Sequence, residues 1–242
     1  MGAALGKIWA RAGHRVTFGF GRDQAKLQAA ATAAGPGAGV ATAGEAVAAA
    51  DVVVLAVPWG AVDAALAQAG LLAGKILLTI VNSIAPDMGG LVVGTTTSGA
   101  EEIARKAPGA RVVEAIPPFA DVLASPSRRF EGAQPAVFYC GDDAAAKGVV
   151  AALLGDLDVQ AVDGGAVAQR ALHRAGDVPA HADPVRAGRA WASRAAHADP
   201  PAAGRRGVTR AEAGTGRRSR SSSGFAYGKG LGPQIALMLL RR

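Results

Sequence analysis

The distribution of apolar residues divides the first 170 residues into short runs that alternate between strand and helix periodicity. The clearest run is Val52–Val57, a continuous apolar stretch rich in β-branched side chains and closed by Pro58 and Gly60. Strands covered on both faces have this pattern, which is typical of a parallel sheet between two layers of helices. We therefore place this run at the centre of the sheet and expect a ligand-binding edge directly after it.

Strands and helices alternate on both sides of this central strand. Leu5, Ile8 and Trp9 recur at helical spacing, which predicts a helix over residues 1–12. The same reasoning predicts strands at 15–20, 40–41, 75–81, 111–115, 136–140 and 159–162, with helices between them, the one after residue 97 opened by Ser98 and Glu101 at capping-box spacing. This order predicts an α/β protein with a doubly wound, Rossmann-like parallel sheet.

The first residues differ from a complete dinucleotide-binding unit. Such a unit begins with a strand, continues through a Gly-x-Gly-x-x-Gly turn and enters a helix that faces the pyrophosphate. This sequence starts on the helix, and Gly2 stands where the third glycine would be. We therefore expect a sheet that lacks its first strand, two central strands with unpaired edges, and weakened nucleotide binding.

Composition separates a second segment from the first 170 residues. Residues 1–169 hold twelve basic and fifteen acidic residues, whereas residues 170–220 hold eleven arginines and four acids. The net charge of +7 therefore comes from one anomalous segment, and we do not expect nucleic acid as a partner. We expect residues 171–224 to be a disordered basic segment and residues 225–242 to form a C-terminal helix.

Several classes of protein are excluded by what the sequence does not contain. No apolar run is long enough for a membrane span, and no signal pattern opens the chain, which favours a cytoplasmic protein without a membrane partner. The single cysteine, Cys140, lies in an apolar run typical of a core thiol. Since there is no catalytic triad, carboxylate pair or metal-ligand cluster, we propose neither catalytic residues nor a metal site.

Three segments together resemble one family. The segments Val16–Asp23, Asp51–Trp59 and Gly94–Glu102, in this order, resemble the NADP-dependent reductases of the coenzyme F-420 type, which are related to the N-terminal domain of pyrroline-5-carboxylate reductases. The resemblance covers residues 1–170 and the last eighteen. It implies hydride transfer between NADPH and a deazaflavin or similar small molecule, with a homodimer as a possible assembly.

The place after the second strand of the Rossmann pattern distinguishes NADP from NAD. NAD enzymes usually carry an acidic residue there, whereas an arginine accommodates the 2′-phosphate. Gly21 and Arg22 fill that place, and Lys26 lies one helical turn further on. An arginine fork matches phosphate oxygens in a bidentate manner. Judged from the residues alone, Arg22 could equally well be a solvent-exposed arginine at the start of a helix. The resemblance to the family favours NADP binding.

The resemblance implies further positions around the cofactor. Val57, Pro58 and Trp59 match a segment that contacts the cofactor in relatives, Asn82 could orient the nicotinamide carboxamide, and Ala115 could wall its pocket. A packed tryptophan and a polar turn residue explain Trp59 and Asn82 without any ligand. The candidate cofactor-binding residues are Gly2, Gly21, Arg22, Lys26, Val57, Pro58, Trp59, Asn82 and Ala115.

The anomalous segment has a second interpretation. Codons for residues 171–176 exist that, read one base later, spell a string similar to the start of the family's C-terminal segment, and the family pattern resumes at Phe225. Two compensating frame changes would explain both boundaries. The alternative function is accordingly an inactive, truncated or non-catalytic nucleotide-binding protein.

Overall fold

The computed structural model of the chain describes residues 1–21, 23–87, 89–94, 96–117, 120–125, 128–129, 132–167 and 237–241. The α-helices are α1 Gly2–Arg11, α2 Gln24–Ala34, α3 Ala43–Ala49, α4 Val62–Ala69, α5 Gly99–Lys106, α6 Ala120–Ala124 and α7 Ala144–Gly155. The strands are β1 Arg15–Phe20, β2 Ala38–Val40, β3 Val52–Leu55, β4 Ile76–Thr79, β5 Arg111–Ala115, β6 Ala136–Gly141, β7 Gln160–Asp163 and β8 Leu237–Arg241. A 3₁₀ turn, Trp59–Ala61, precedes α4.

The described strands form one eight-stranded sheet in the order β2-β1-β8-β3-β4-β5-β6-β7. Strand β1 is parallel to β2, and β3, β4 and β5 are parallel to one another. Strand β8 is antiparallel to both β1 and β3, so β1 and β3 run in the same direction. Strands β6 and β7 are parallel to each other and antiparallel to β5. The carboxyl ends of β1 to β5 therefore meet at one edge of the sheet.

Strand β3 is buried on both faces, as its continuous apolar pattern predicts. Val52 and Val54 belong to one core with residues of α1, α2 and α7, whereas Val53 and Leu55 belong to a second core with residues of α3, α4 and α5. Side chains alternate across a strand, so a strand between two cores must be apolar at every position. Helices thus cover both faces, and the doubly wound α/β prediction is confirmed.

Strand β8 corrects two predictions. Residues 237–241 form a strand, whereas a C-terminal helix is predicted for residues 225–242. This strand lies between β1 and β3, where the first strand of a Rossmann unit would lie, so the edges expected to be unpaired are both paired. An unpaired buried backbone group costs about 1–3 kcal/mol, which favours the recruitment of any available apolar segment. Residues 171–224 and 225–236 lie outside the described residues.

Among the described residues, no helix is long and apolar enough to cross a membrane.

Apart from residues 237–241, the boundaries of the predicted elements agree with the structure to within a few residues, and β1 and β5 agree at both ends. The short helix α6 is not predicted, because five residues are too few to show helical periodicity.

Candidate cofactor-binding site

The parallel direction of β1, β3, β4 and β5 brings most of the predicted site to one edge of the sheet. Gly21 follows β1, Val57–Trp59 follow β3, Asn82 follows β4, and Ala115 is the last residue of β5. In open α/β sheets ligands bind outside the carboxyl ends of the strands, at the place where the strand order reverses. That place lies here between β1 and β3. We call this region the carboxyl edge.

The start of helix α1 also lies at the carboxyl edge. The helix packs on β1 and is joined to it through a short turn at Gly13, so the two run in opposite directions. Gly2, its first residue, is buried, and no side chain caps the first turn. The backbone N–H groups and the positive end of the helix dipole therefore point toward this edge, an arrangement that favours an anion.

The turn after β1 is closely packed. A Cβ atom on Gly21 would lie 3.0 Å from Cδ2 of the buried Leu27, so glycine lets α2 approach the end of β1. Asp23 then caps α2 by accepting hydrogen bonds from the backbone N–H groups of Ala25 and Lys26 at 3.0 and 3.2 Å. Arg22 lies outside the described residues, and its contact with a 2′-phosphate stays a prediction.

Lys26 is held loosely beside this turn. Its Nζ atom lies 3.8 Å from Oδ2 of Asp23, and its side chain is 57% exposed. Such an exposed ion pair contributes little to stability, so the ammonium group can turn toward an incoming phosphate at low cost. The position of Lys26 is thus compatible with the predicted role but is also that of an ordinary surface lysine.

The segment after β3 combines one buried, one exposed and one half-buried residue. Val57 is in the second core, Pro58 is exposed, and Trp59 packs against that core from its rim. A Cβ atom on Gly99 would lie 3.4 Å from Cζ3 of Trp59 and 3.5 Å from Cβ of Ser83. The indole therefore joins the ends of β3 and β4 to the start of α5, and packing accounts for most of its surface.

A small hairpin follows β4 and is not predicted from the sequence. The backbone N–H of Val92 donates to the carbonyl of Ser83 at 2.8 Å, and the Ser83 hydroxyl donates to the carbonyl of Val93 at 2.9 Å. Ile84 and Leu91 form a β-bridge across it. Leu91 and Val92 are 71% and 55% exposed, so the hairpin presents apolar side chains to solvent on the loop that leaves the carboxyl edge.

Asn82 starts this hairpin. Its side chain is exposed, and its carbonyl accepts a hydrogen bond from the N–H of Ile84 at 2.9 Å. The turn therefore uses the backbone of Asn82. Its amide side chain is accessible to a ligand, and contact with a nicotinamide stays a prediction.

The capping box at the start of α5 is confirmed. Ser98 Oγ accepts from the N–H of Glu101 at 3.2 Å, and the N–H of Ser98 donates to Oε2 of Glu101 at 2.7 Å. A carboxylate thus already lies at this helix start. An anionic substrate at residues 94–98 would meet that charge, so capping is the role that the contacts support.

The end of β5 places a buried carboxylate beside Ala115. Ala115 is buried in the first core, and Glu114, one residue earlier, is buried on the opposite face. Glu114 is opposite Thr79 and Cys140 on the neighbouring strands, and the thiol of Cys140 lies 3.9 Å from its Oε2. Cys140 is fully buried, in agreement with the prediction of a core thiol. The apolar residues before Cys140 did not predict that Thr79, Glu114 and Cys140 would lie side by side in the buried part of the sheet.

A cavity lies at the other edge of the sheet. It has a volume of about 500 Å³, and its lining includes His14, Asp51, Lys75 and Arg111. Lys75 donates to the carbonyls of Ala48 and Ala50, and Arg111 donates to that of Gly74. These cations are already engaged by backbone carbonyls, and the strands β1, β3, β4 and β5 begin here. The cavity is therefore not the expected position for a dinucleotide.

The carboxylates with shifted pKa values have structural partners. A hydrogen bond from the Thr42 side chain lowers the pKa of Glu45 within the capping box of α3. The Gln134 amide lowers the pKa of Asp158, and the backbone N–H of Gly165 lowers that of Asp163. None of these three groups follows the carboxyl end of β1, β3, β4 or β5.

Among the described residues no group of histidine, cysteine and acidic side chains could hold a metal ion.

Comparisons with known proteins agree with this architecture. Residues 1–83 match the family model described as NADP oxidoreductase, coenzyme F-420-dependent. A protein from Arthrobacter sp. FB24 assigned as an F-420-dependent NADP reductase is 30% identical, with 80% of this chain and 90% of that chain covered and a TM-score of 0.61. A hypothetical protein from Sinorhizobium meliloti is 27% identical over 72% of this chain and 85% of that chain, with a TM-score of 0.62.

A reductive aminase from Aspergillus terreus, in complex with NADPH and ethyl-5-oxohexanoate, shares the fold at 22% identity and a TM-score of 0.51, with 81% of this chain and 60% of that chain covered. No curated protein matches the chain. The identity and coverage of the Arthrobacter relative, together with the matching family model, establish that the chain belongs to the family of coenzyme F-420-dependent NADP oxidoreductases.

Proposed function

We propose that this protein is an NADP-dependent oxidoreductase that transfers hydride between NADPH and a deazaflavin, coenzyme F-420, or a similar small acceptor. The observation that carries the proposal is the convergence of Gly21, Val57–Trp59, Asn82 and Ala115 at the carboxyl edge of a sheet of this family. The Arthrobacter relative is assigned as an F-420-dependent NADP reductase, which supports the proposal.

The residues at the carboxyl edge support a dinucleotide on two sides. On the ribose side, Gly21 lets α2 approach the end of β1, and Arg22 and Lys26 would supply positive charge for a 2′-phosphate. On the nicotinamide side, Pro58 and Asn82 are exposed and would contact the ring and its carboxamide. NADPH supplies the hydride when bound. Such a transfer depends mainly on the two rings being held face to face. The role of the chain would therefore be to orient the nicotinamide and acceptor rings and to exclude water from between them.

The acceptor side is apolar. Leu91 and Val92 are exposed on the hairpin after β4, and Ile116 is 38% exposed after β5. Apolar side chains next to a few polar groups are typical of a pocket for a planar ring system. They support a deazaflavin or an acceptor of similar shape without selecting one.

The proposed reaction is tested with the purified full chain by following the absorbance of NADPH with and without oxidised coenzyme F-420. Oxidation that depends on the deazaflavin supports the proposal. NADPH binding without turnover of any acceptor supports the alternative of a non-catalytic nucleotide-binding protein. That alternative is favoured by one feature, the antiparallel β8 in the place of the first Rossmann strand.

The choice between NADP and NAD is tested at Arg22. Charge-assisted hydrogen bonds are worth about 1.5–3 kcal/mol, so Arg22→Ala is expected to weaken NADPH binding by roughly tenfold to a hundredfold. NADH binding should change little, because NADH has no 2′-phosphate. Arg11→Ala is the matched control, since Arg11 is exposed in the last turn of α1, away from the carboxyl edge. Equal losses for NADPH and NADH, measured by titration, would contradict the assignment.

A further inference from the structure

The cavity lined by His14, Asp51, Lys75 and Arg111 lies where β3, β4 and β5 begin, at the opposite edge of the sheet from the proposed cofactor site. We call it the amino-edge cavity. Its lining includes the exposed residues Asp51 and Gly74, so it opens to solvent. Its volume of about 500 Å³ lies within the range of about 300–1,000 Å³ that is typical of small-molecule sites. The cavity is therefore large and open enough to admit a small ligand.

One side of the amino-edge cavity is apolar. Val52 and Ile76 contribute to it from the starts of β3 and β4, and Val149 and Leu153 contribute from α7. Val52, Ile76 and Leu153 are buried, and Val149 is half-buried. A hydrocarbon group that enters the cavity would remove this apolar surface and its own surface from water, which favours binding. The apolar side thus suits a ligand with a hydrocarbon body.

Two cationic residues begin adjacent strands at the same cavity. Lys75 directly precedes β4, and Arg111 is the first residue of β5. The backbone N–H of Arg111 donates to the carbonyl of Lys75 at 2.9 Å, so the two residues are neighbours across the sheet, and both line the cavity. Neighbouring ammonium and guanidinium groups can together donate to the two oxygens of one carboxylate.

Both cations keep donor capacity within the described part of the chain. Nζ of Lys75 donates to two carbonyl groups at the end of α3, at 2.8 and 3.3 Å, and an ammonium group has three N–H donors. Nη2 of Arg111 donates to the carbonyl of Gly74 at 3.0 Å, whereas Nη1 lies 4.0 Å from Oδ1 of Asp143, which is too long for a hydrogen bond. A guanidinium group has five N–H donors. The backbone contacts therefore orient the two cations without saturating them.

Three carboxylates near the cavity limit the charge of the ligand. Asp51 lines the cavity, Asp143 faces Arg111, and Asp156 accepts a hydrogen bond of 2.8 Å from Nε2 of His14. A phosphate group carries about 1.5 to 2 negative charges at pH 7, so these carboxylates would repel it more strongly than a monoanion. The charges thus favour a single carboxylate over a phosphate or a nucleotide.

We propose that the amino-edge cavity binds a small monocarboxylate. The carboxylate accepts hydrogen bonds from Lys75 and Arg111, and the hydrocarbon body packs against the apolar side formed by β3, β4 and α7. This inference goes beyond the proposed function and does not rest on it, because the carboxyl edge lies at the opposite ends of the same strands.

Hexanoate, titrated into the full chain by calorimetry, is the probe. It is expected to bind at least about tenfold more tightly than hexan-1-ol, which has the same hydrocarbon body without the charge. Acetate, which has the charge and almost no hydrocarbon body, should also bind at least about tenfold more weakly than hexanoate. Absence of hexanoate binding, or equal affinities for hexanoate and hexan-1-ol, would overturn the inference.

Arg111→Gln tests the position of the carboxylate. It should weaken hexanoate binding roughly tenfold and leave hexan-1-ol binding unchanged, because only the hydrogen bonds to the charged group are lost. Arg11→Gln is the matched control, since Arg11 is exposed at the end of α1 and removes the same charge without lining the cavity. Equal losses in the two variants would show a general charge effect and overturn the site.

Val149→Phe tests the position of the hydrocarbon body without removing a charge. The larger side chain occupies part of the cavity and should weaken hexanoate binding at least about tenfold. Ala152→Phe is the control, because Ala152 is exposed on α7 and does not line the cavity. Urea denaturation of each variant checks that it is folded. Hexanoate binding by folded Val149→Phe protein with unchanged affinity would place the ligand elsewhere and overturn the inference, whatever the result for NADPH.

Discussion

Leu240→Asp is expected to unfold the sheet. Leu240 is 2% exposed and packs in the first core between Val16 and Val52, on the strand that joins the two halves of the sheet. An unpaired carboxylate in such a site costs several kcal/mol, and the backbone groups of β1 and β3 would lose their partner at the same time. A domain stable by about 5–15 kcal/mol would lose most of its stability. Urea denaturation followed by circular dichroism measures the change.

The matched control for this substitution is Leu71→Asp. Leu71 is 92% exposed after α4, so the same change of leucine to aspartate should alter the free energy of unfolding by less than about 0.5 kcal/mol. A Leu240→Asp protein as stable as the Leu71→Asp protein would show that β8 contributes nothing to the sheet. The position of β8 in the fold would then be wrong.

Trp9→Ala is expected to cost about 3–5 kcal/mol. Trp9 is 1% exposed in α1, and its indole Nε1 donates a hydrogen bond of 2.8 Å to the carbonyl of Leu153 in α7. The indole therefore links the helix that begins at the carboxyl edge to the helix that covers β5 to β7. Substitution by alanine leaves a cavity and also an unsatisfied carbonyl, and both effects lower the free energy of unfolding measured by urea denaturation.

Trp9→Phe separates the two contributions. Phenylalanine retains most of the apolar contact and loses only the hydrogen bond, for an expected cost of about 1–3 kcal/mol. Equal costs for Trp9→Ala and Trp9→Phe would indicate that the site collapses around the smaller side chain and that the cavity contributes little. Because α1 starts at the carboxyl edge, we also expect Trp9→Ala to weaken NADPH binding more than Trp9→Phe does.

The expectation of weakened nucleotide binding stays a prediction, although one of its stated causes is removed. The two central strands expected to have unpaired edges, β1 and β3, both pair with β8.

Local pattern was sufficient for much of the fold. The apolar run Val52–Val57 predicts a strand covered on both faces, because every position of such a strand must be apolar, and β3 has this environment. The capping box of Ser98 and Glu101 involves residues within one turn of each other, so their spacing alone predicts it. The order of strands and helices also places Gly21, Pro58, Asn82 and Ala115 at one edge, since parallel strands end on the same side.

The amino-acid sequence by itself thus determined most of the elements within residues 1–167, the two-faced burial of the sheet and the edge at which the candidate residues lie. Only the tertiary structure decided the conformation of residues 237–241. This segment of four apolar residues and Arg241 suits a strand as well as a helix, and its pairing with β1 and β3 fixes it as a strand. The reversed direction of β6 and β7 and the hairpin after β4 were likewise decided by long-range pairing. The physical reason is that periodicity reports which face of a segment is buried, whereas the partner and direction of a strand depend on backbone groups far away in the chain.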